Sequence, residues 1–115
     1  MTELVVSFEV DGRHFWPNAP EKYKEFRQSH RHLFKCICTV LVRDSDDPAR
    51  RDVELWELRQ QAIECARLIS TDVECSPVRD FRSMSCEGIA SALRKEMGFS
   101  KVFVGEDVNF GAIVS

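Results

Sequence analysis

The stretch Ser29-His30-Arg31-His32-Leu33-Phe34-Lys35-Cys36-Ile37-Cys38-Thr39-Val40-Leu41-Val42 constrains this chain most. Aromatic, β-branched and leucine residues dominate it, and no Gly or Pro interrupts it, so it reads as one long β-strand. Side chains alternate across a strand, which puts His30, His32, Phe34, Cys36, Cys38, Val40 and Val42 on one face. Two imidazoles two residues apart on one strand are spaced to grip a single cation. The bland alternative is a pair of sheet histidines bonded to backbone, and HxH alone is too short a motif to decide. The chain has only one other histidine, His14.

A second strand precedes it. Leu4, Val6, Phe8 and Val10 alternate strictly. Carried through Gly12, the same parity brings His14 to that face, but Asp11-Gly12 reads equally as a turn or bulge. Trp16-Pro17-Asn18-Ala19-Pro20 is loop chemistry, and Glu21 to Arg27 suits about two helical turns led by Pro20. Arg51 to Leu55 reads as a short third strand. From Trp56 the period changes: Leu58, Ala62, Cys65, Ala66 and Ile69 form a helical stripe. Ser70 to Phe81 reads as irregular. A second helix runs from Cys86 to Met97, capped by Ser85 and ended by Gly98. Strands over Lys101 to Val104 and Phe110 to Val114 close the chain. The order β, β, β, α, α, β, β predicts one α+β domain spanning 1–115, an antiparallel sheet with two helices on one face.

Composition narrows the function. A net charge of −3 argues against a nucleic-acid groove built on bulk charge. No apolar run approaches the roughly 20 residues of a membrane span, and the N-terminus lacks the pattern of a signal peptide, so the expected location is cytoplasmic. The five cysteines include no CxxC pair and read as free, mostly buried thiols.

A His after the first strand, His-x-His opening the second, Asp52-Val53-Glu54-Leu55-Trp56 at a strand-to-helix junction, Cys86-Glu87-Gly88-Ile89-Ala90 at a helix start and a Glu in the closing hairpin form one ordered set. It resembles the 6-pyruvoyl-tetrahydropterin synthase and 6-carboxytetrahydropterin synthase family, built on the T-fold (tunnelling fold), over nearly the whole chain. The resemblance implies Zn2+ on His14, His30 and His32, a pterin- or purine-like ligand recognised by Glu106, and a homo-oligomer (trimer or hexamer) whose sheets close into a barrel with sites between subunits. Phe15 and Trp16 would wall the ligand, and Arg27 and Arg31 would be available for its phosphates. Arg43, Arg50 and Arg51 would join them if they converge at the pocket mouth.

The departures are as informative. The family's Cys before His-x-His has no counterpart in Lys24 to Ser29, and its Asp-His pair has none in Ile69 to Arg82. Cys75, Asp72 and Glu74 lie in that region as weak substitutes. The expectation is therefore a small-molecule binder without synthase activity, of the kind with which bacteriophages sequester a nucleotide signal in host defence. A zinc-dependent pterin synthase or lyase is the alternative, and a purely structural interaction module the third.

Overall fold

The computed structural model describes residues 1–51, 53–107 and 109–115; Asp52 and Val108 lie outside the described residues. Among the described residues, six strands, β1 (Thr2–His14), β2 (His30–Val42), β3 (Thr71–Val73), β4 (Ser76–Asp80), β5 (Lys101–Glu106) and β6 (Phe110–Val114), form one mixed sheet in the order β3-β4-β1-β2-β5-β6, and two α-helices and a 3-10 segment complete an α+β architecture. Strand β1 (Thr2–His14) and strand β2 (His30–Val42) make a long antiparallel pair. Its register holds without a shift from Thr2↔Val42 to His14↔His30. No bulge occurs at Asp11-Gly12. Gly12 is instead a packing slot, since a Cβ there would come within 2.7 Å of the Phe81 ring.

The even-numbered side chains of β1 and β2 face the helices, and Val6, Phe8, Phe34, Cys36 and Cys38 are buried there. Strand β5 (Lys101–Glu106) adds Val102 and Val104 opposite Cys38 and Cys36. Helix α1 (Leu55–Ile69) lays Ala62, Cys65 and Ala66 on this layer, and helix α2 (Cys86–Met97) adds Ile89, Ala90 and Leu93. These stripes and the exposed Arg59, Gln60, Glu64 and Arg67 agree with the helical periodicity. Burial of this apolar layer, at roughly 25 cal/mol per Å2, is the main force fixing helices to sheet.

Both helix starts are capped by side chains. Ser85 Oγ accepts from the Gly88 N–H at 3.1 Å, and a Glu54 carboxylate oxygen accepts from the Trp56 N–H at 2.8 Å. Gly98 ends α2 at φ +70°, where glycine bears no Cβ penalty. Among the described residues no helix is long and apolar enough to cross a membrane.

Three expectations need correction. The sheet is mixed rather than antiparallel throughout, because β4 pairs parallel with β1. None of the described residues in 51–55 is in a strand, and α1 already begins at Leu55. Strand β2 has β1 on one side and β5 on the other, so no place beside it is open. The supposedly irregular Ser70 to Phe81 instead contains a hairpin, β3 (Thr71–Val73) and β4 (Ser76–Asp80). Arg79 fastens it: its guanidinium donates to the Arg67 and Ser70 carbonyls at the end of α1, and it pairs with Asp72. Strand β4 then runs parallel to the end of β1. The 3-10 segment Glu21–Arg27 matches the two expected turns, and β6 (Phe110–Val114) closes the sheet beside β5.

Candidate metal centre

The unbroken register decides the site. His14 sits directly opposite His30 across the β1–β2 pair, and His32 lies two residues further along β2, opposite Gly12. The three ring centroids stand 4.6, 5.2 and 4.9 Å apart. One nitrogen from each ring lies within 4.8 Å of the others, so the group can hold a metal ion. Glu106, at the end of β5 opposite Phe34, brings its carboxylate alongside.

Proton positions follow from the partners. His14 Nδ1 is 2.9 Å from the Met84 carbonyl oxygen, and His30 Nδ1 is 3.0 Å from that of Gln28. His32 Nδ1 is 2.6 Å from a carboxylate oxygen of Asp107. All three partners can only accept, so each Nδ1 carries a proton and donates it. Burial holds the His14 pKa below its usual value, against the pull of the Met84 carbonyl and Glu106. A neutral His14 then turns a bare Nε2 lone pair inward.

That lone pair is buried and has no hydrogen-bond partner among the described residues. Glu106 Oε1, itself an acceptor, lies 3.2 Å from it. His32 Nε2 faces Glu106 Oε2 at 3.5 Å. Acceptors thus face one another; the donor that the described residues offer there is the Cys86 thiol, 3.5 Å from Glu106 Oε1, and it leaves His14 Nε2 unsatisfied, an arrangement that is costly when desolvated. A cation placed among them resolves the conflict. Histidines with Nδ1 tied to carbonyl or carboxylate and Nε2 free are the usual arrangement of imidazole metal ligands.

The bonds to backbone follow from local geometry. Phe81 donates to the Arg13 carbonyl and Phe15 to that of Arg82, both at 2.8 Å. These bonds draw residues 81–85 along the end of β1 and deliver the Met84 carbonyl to His14. The backbone-bonded alternative for His30 and His32 holds for His30, whose Nδ1 rests on the Gln28 carbonyl, and not for His32, whose Nδ1 rests on the Asp107 carboxylate.

The centre opens into a pocket of about 450 Å3. Phe15, Trp16, Phe26 and Phe110 wall it, and Ser83, Met84 and Ser85 also line it. The Trp16, Tyr23 and Phe26 rings stack in series at 6.2 and 6.1 Å. Their loop is pinned by Trp16 N–H donating to the Phe26 carbonyl and by Arg27 Nε donating to that of Ala19.

The structure thus brings His14, His30, His32, Glu106, Phe15 and Trp16 together at one pocket. It does not bring Arg27 or Arg31 there: Arg27 is held by Ala19 and Glu21, and Arg31 pairs with Asp11 on the opposite sheet face. Arg43, Arg50 and Arg51 line a different pocket, of about 420 Å3, with Thr2 and Val42 at the other end of the β1–β2 pair. Asp72, Glu74 and Cys75 belong to the β3–β4 hairpin and do not line the histidine pocket. Asp72 serves there as the partner of Arg79.

Cys86 is the thiol beside the centre, 3.5 Å from Glu106 Oε1. Burial and the Glu106 carboxylate push its pKa up to about 12. Sequence reasoning missed Phe26, Phe110 and Asp107. The first two were visible only as isolated aromatics, and Asp107 only as the acid after Glu106. No protein-family model and no curated protein matches this chain.

Proposed function

We propose that this chain is a T-fold pocket of the pterin-synthase type that holds zinc on His14, His30 and His32 and binds a flat purine- or pterin-like molecule without turning it over as a synthase. The observation that carries this reading is the set of acceptor-only groups around His14 Nε2, at the foot of an aromatic-walled pocket. Three neutral imidazoles suit zinc and leave a coordination position for a ligand atom. Zinc bound there would polarise and orient a ligand oxygen or nitrogen. Trp16, Phe26 and Phe110 offer ring faces to a planar ligand. Glu106 can accept paired N–H groups from the edge of a guanine-like ring.

The state of the Cys86 thiol supports binding without synthase turnover. Cys86 is almost wholly protonated at neutral pH and hydrogen-bonded to Glu106, which makes it a poor nucleophile. Binding without turnover suits sequestration of a nucleotide-like signal, as in phage counter-defence. The lyase reading keeps one support: Glu106 lies beside the nitrogens that would hold the metal, where a carboxylate can take a proton. A trimer or hexamer is supported by β6, an edge strand of the sheet whose Phe110 also walls the pocket; a neighbour pairing with that edge would extend the site.

The test is metal analysis of freshly purified protein together with mass spectrometry of small molecules released on denaturation, for wild type and Glu106→Ala. About one zinc per chain and a heteroaromatic ligand lost from the variant are expected. Protein with no zinc, no zinc uptake and the same empty profile in both forms overturns the reading. Zinc with turnover of dihydroneopterin triphosphate would transfer it to the lyase alternative.

A further inference from the structure

We propose that Asp107 is the positioning residue of the metal centre, holding His32 in the one tautomer that can bind an ion; this rests on the metal-holding reading above. Asp107 has φ +50°, the left-handed region that Gly adopts more easily. Three bonds hold it there. Its N–H donates to the Leu33 carbonyl at 2.9 Å, its Oδ1 accepts from the Leu33 N–H at 2.9 Å, and its Oδ2 accepts from His32 Nδ1 at 2.6 Å. The first two are the work of a turn. The third is not needed by the turn and is aimed at the imidazole.

His32 differs from its two companions in this respect. His14 and His30 rest on backbone carbonyls, whereas His32 rests on a carboxylate. A carboxylate behind a ligating imidazole fixes its tautomer and raises its basicity. It also adds a negative charge. With Glu106, it brings two carboxylates against three neutral imidazoles, which balances a divalent cation. A carbonyl in its place would leave the ion undercompensated.

The two jobs of Asp107 separate in Asp107→Asn. The Leu33 N–H is a fixed donor, so the new amide must turn its oxygen toward it. Its NH2 group then faces His32 Nδ1. Two donors cannot meet there, and the cheapest escape is for His32 to move its proton to Nε2, the nitrogen that faces Glu106. The turn survives while the ligand is blocked.

The readout is the His32 tautomer in the metal-free protein, from long-range 1H–15N correlation spectra, alongside zinc affinity by competition with a chromophoric chelator. Expected are the Nδ1–H form in wild type and the Nε2–H form in Asp107→Asn. Zinc affinity should fall about 10- to 100-fold with little change in the metal-free melting temperature. Asp107→Gly, which relieves the backbone strain, should weaken zinc similarly while leaving His32 free to exchange between tautomers. Asp107→Asn with His32 still in the Nδ1–H form and zinc affinity unchanged overturns the proposal. If wild type takes up no zinc, the metal reading fails; the tautomer comparison then still decides whether Asp107 sets the state of His32.

Discussion

The facing acceptors at His14 make Glu106→Gln a substitution with an unusual sign. In the metal-free protein the Glu106 carboxylate stands 3.2 Å from a buried lone pair that receives no proton. A glutamine amide of the same shape can donate to that nitrogen. The gain is one buried hydrogen bond plus relief of an unsatisfied acceptor, less the weak Cys86 thiol bond that Glu106 Oε1 accepts in wild type, together about 1–3 kcal/mol. At roughly 2.1 cal/mol/K per residue, 115 residues unfold with an entropy of about 0.24 kcal/mol/K. Metal-free Glu106→Gln should therefore melt about 4–12 °C above metal-free wild type. Zinc also raises the melting temperature, but more in wild type than in the variant. At one hundred times its dissociation constant a ligand adds about 2.7 kcal/mol, or about 11 °C in wild type. In the variant, binding must first break the new bond and loses the attraction of the carboxylate, so the zinc shift should shrink to less than half. Thermal melts by circular dichroism, with EDTA and with excess zinc, measure both numbers. A metal-free variant less stable than wild type, with the zinc shift intact, would refute the proton assignment on which the centre rests.

Two further outcomes test the frame that holds the site. Gly12→Ala drives a Cβ to 2.7 Å from the Phe81 ring and 3.0 Å from that of Phe34; it should destabilise the protein by about 1–3 kcal/mol in urea unfolding, and an unchanged midpoint would show that this packing is loose. Burial pushes the Cys38 thiol up to about 12 and raises Cys36 further in the same direction. A folded pKa above the unfolded value means that their contribution is whole below pH of about 9 and is lost as pH rises from there toward the folded values. Denaturant midpoints should accordingly fall above that pH, and at pH 8 a thiol reagent should label exposed Cys75 well before either; rapid labelling of Cys36 or Cys38 in native protein would contradict their burial.

Parity carried much of the fold and the site. Once β2 was read as a strand, His30 and His32 had to share a face with Phe34, Cys36 and Cys38, because alternation leaves no choice. The helical stripes were equally legible, since their apolar spacing is local. The position of His14 was not. It depended on whether Asp11-Gly12 turned the chain, and a glycine gives the same letter for a turn, a bulge or a slot for a ring. Phe81, far along the sequence, settles the matter by occupying the space above Gly12. The β3–β4 hairpin was hidden for a related reason. Its strands are short and polar, and they are held by Arg79 reaching the end of α1, a contact that no local pattern announces. Arg27 and Arg31 showed the converse error: charges expected near the ligand are held by Glu21 and by Asp11 instead.

The same geometry explains why the centre sits where it does. Met84 and Glu106 reach it from two separate segments, and each approach depends on packing elsewhere. Phe81 fills the Gly12 slot, which goes with residues 81–85 lying along β1 and the Met84 carbonyl meeting His14. Pairing of β5 with β2 sets Glu106 beside His32 and Asp107 against Leu33. The histidines are thus preset by the fold with their protons turned outward, while the lone pairs are left pointing at one another. An arrangement that spends folding free energy to hold acceptors together is stable only to the extent that the surrounding core over-determines it. It is the state in which binding a cation returns the most, because the unfavourable contact has been made before the ion arrives.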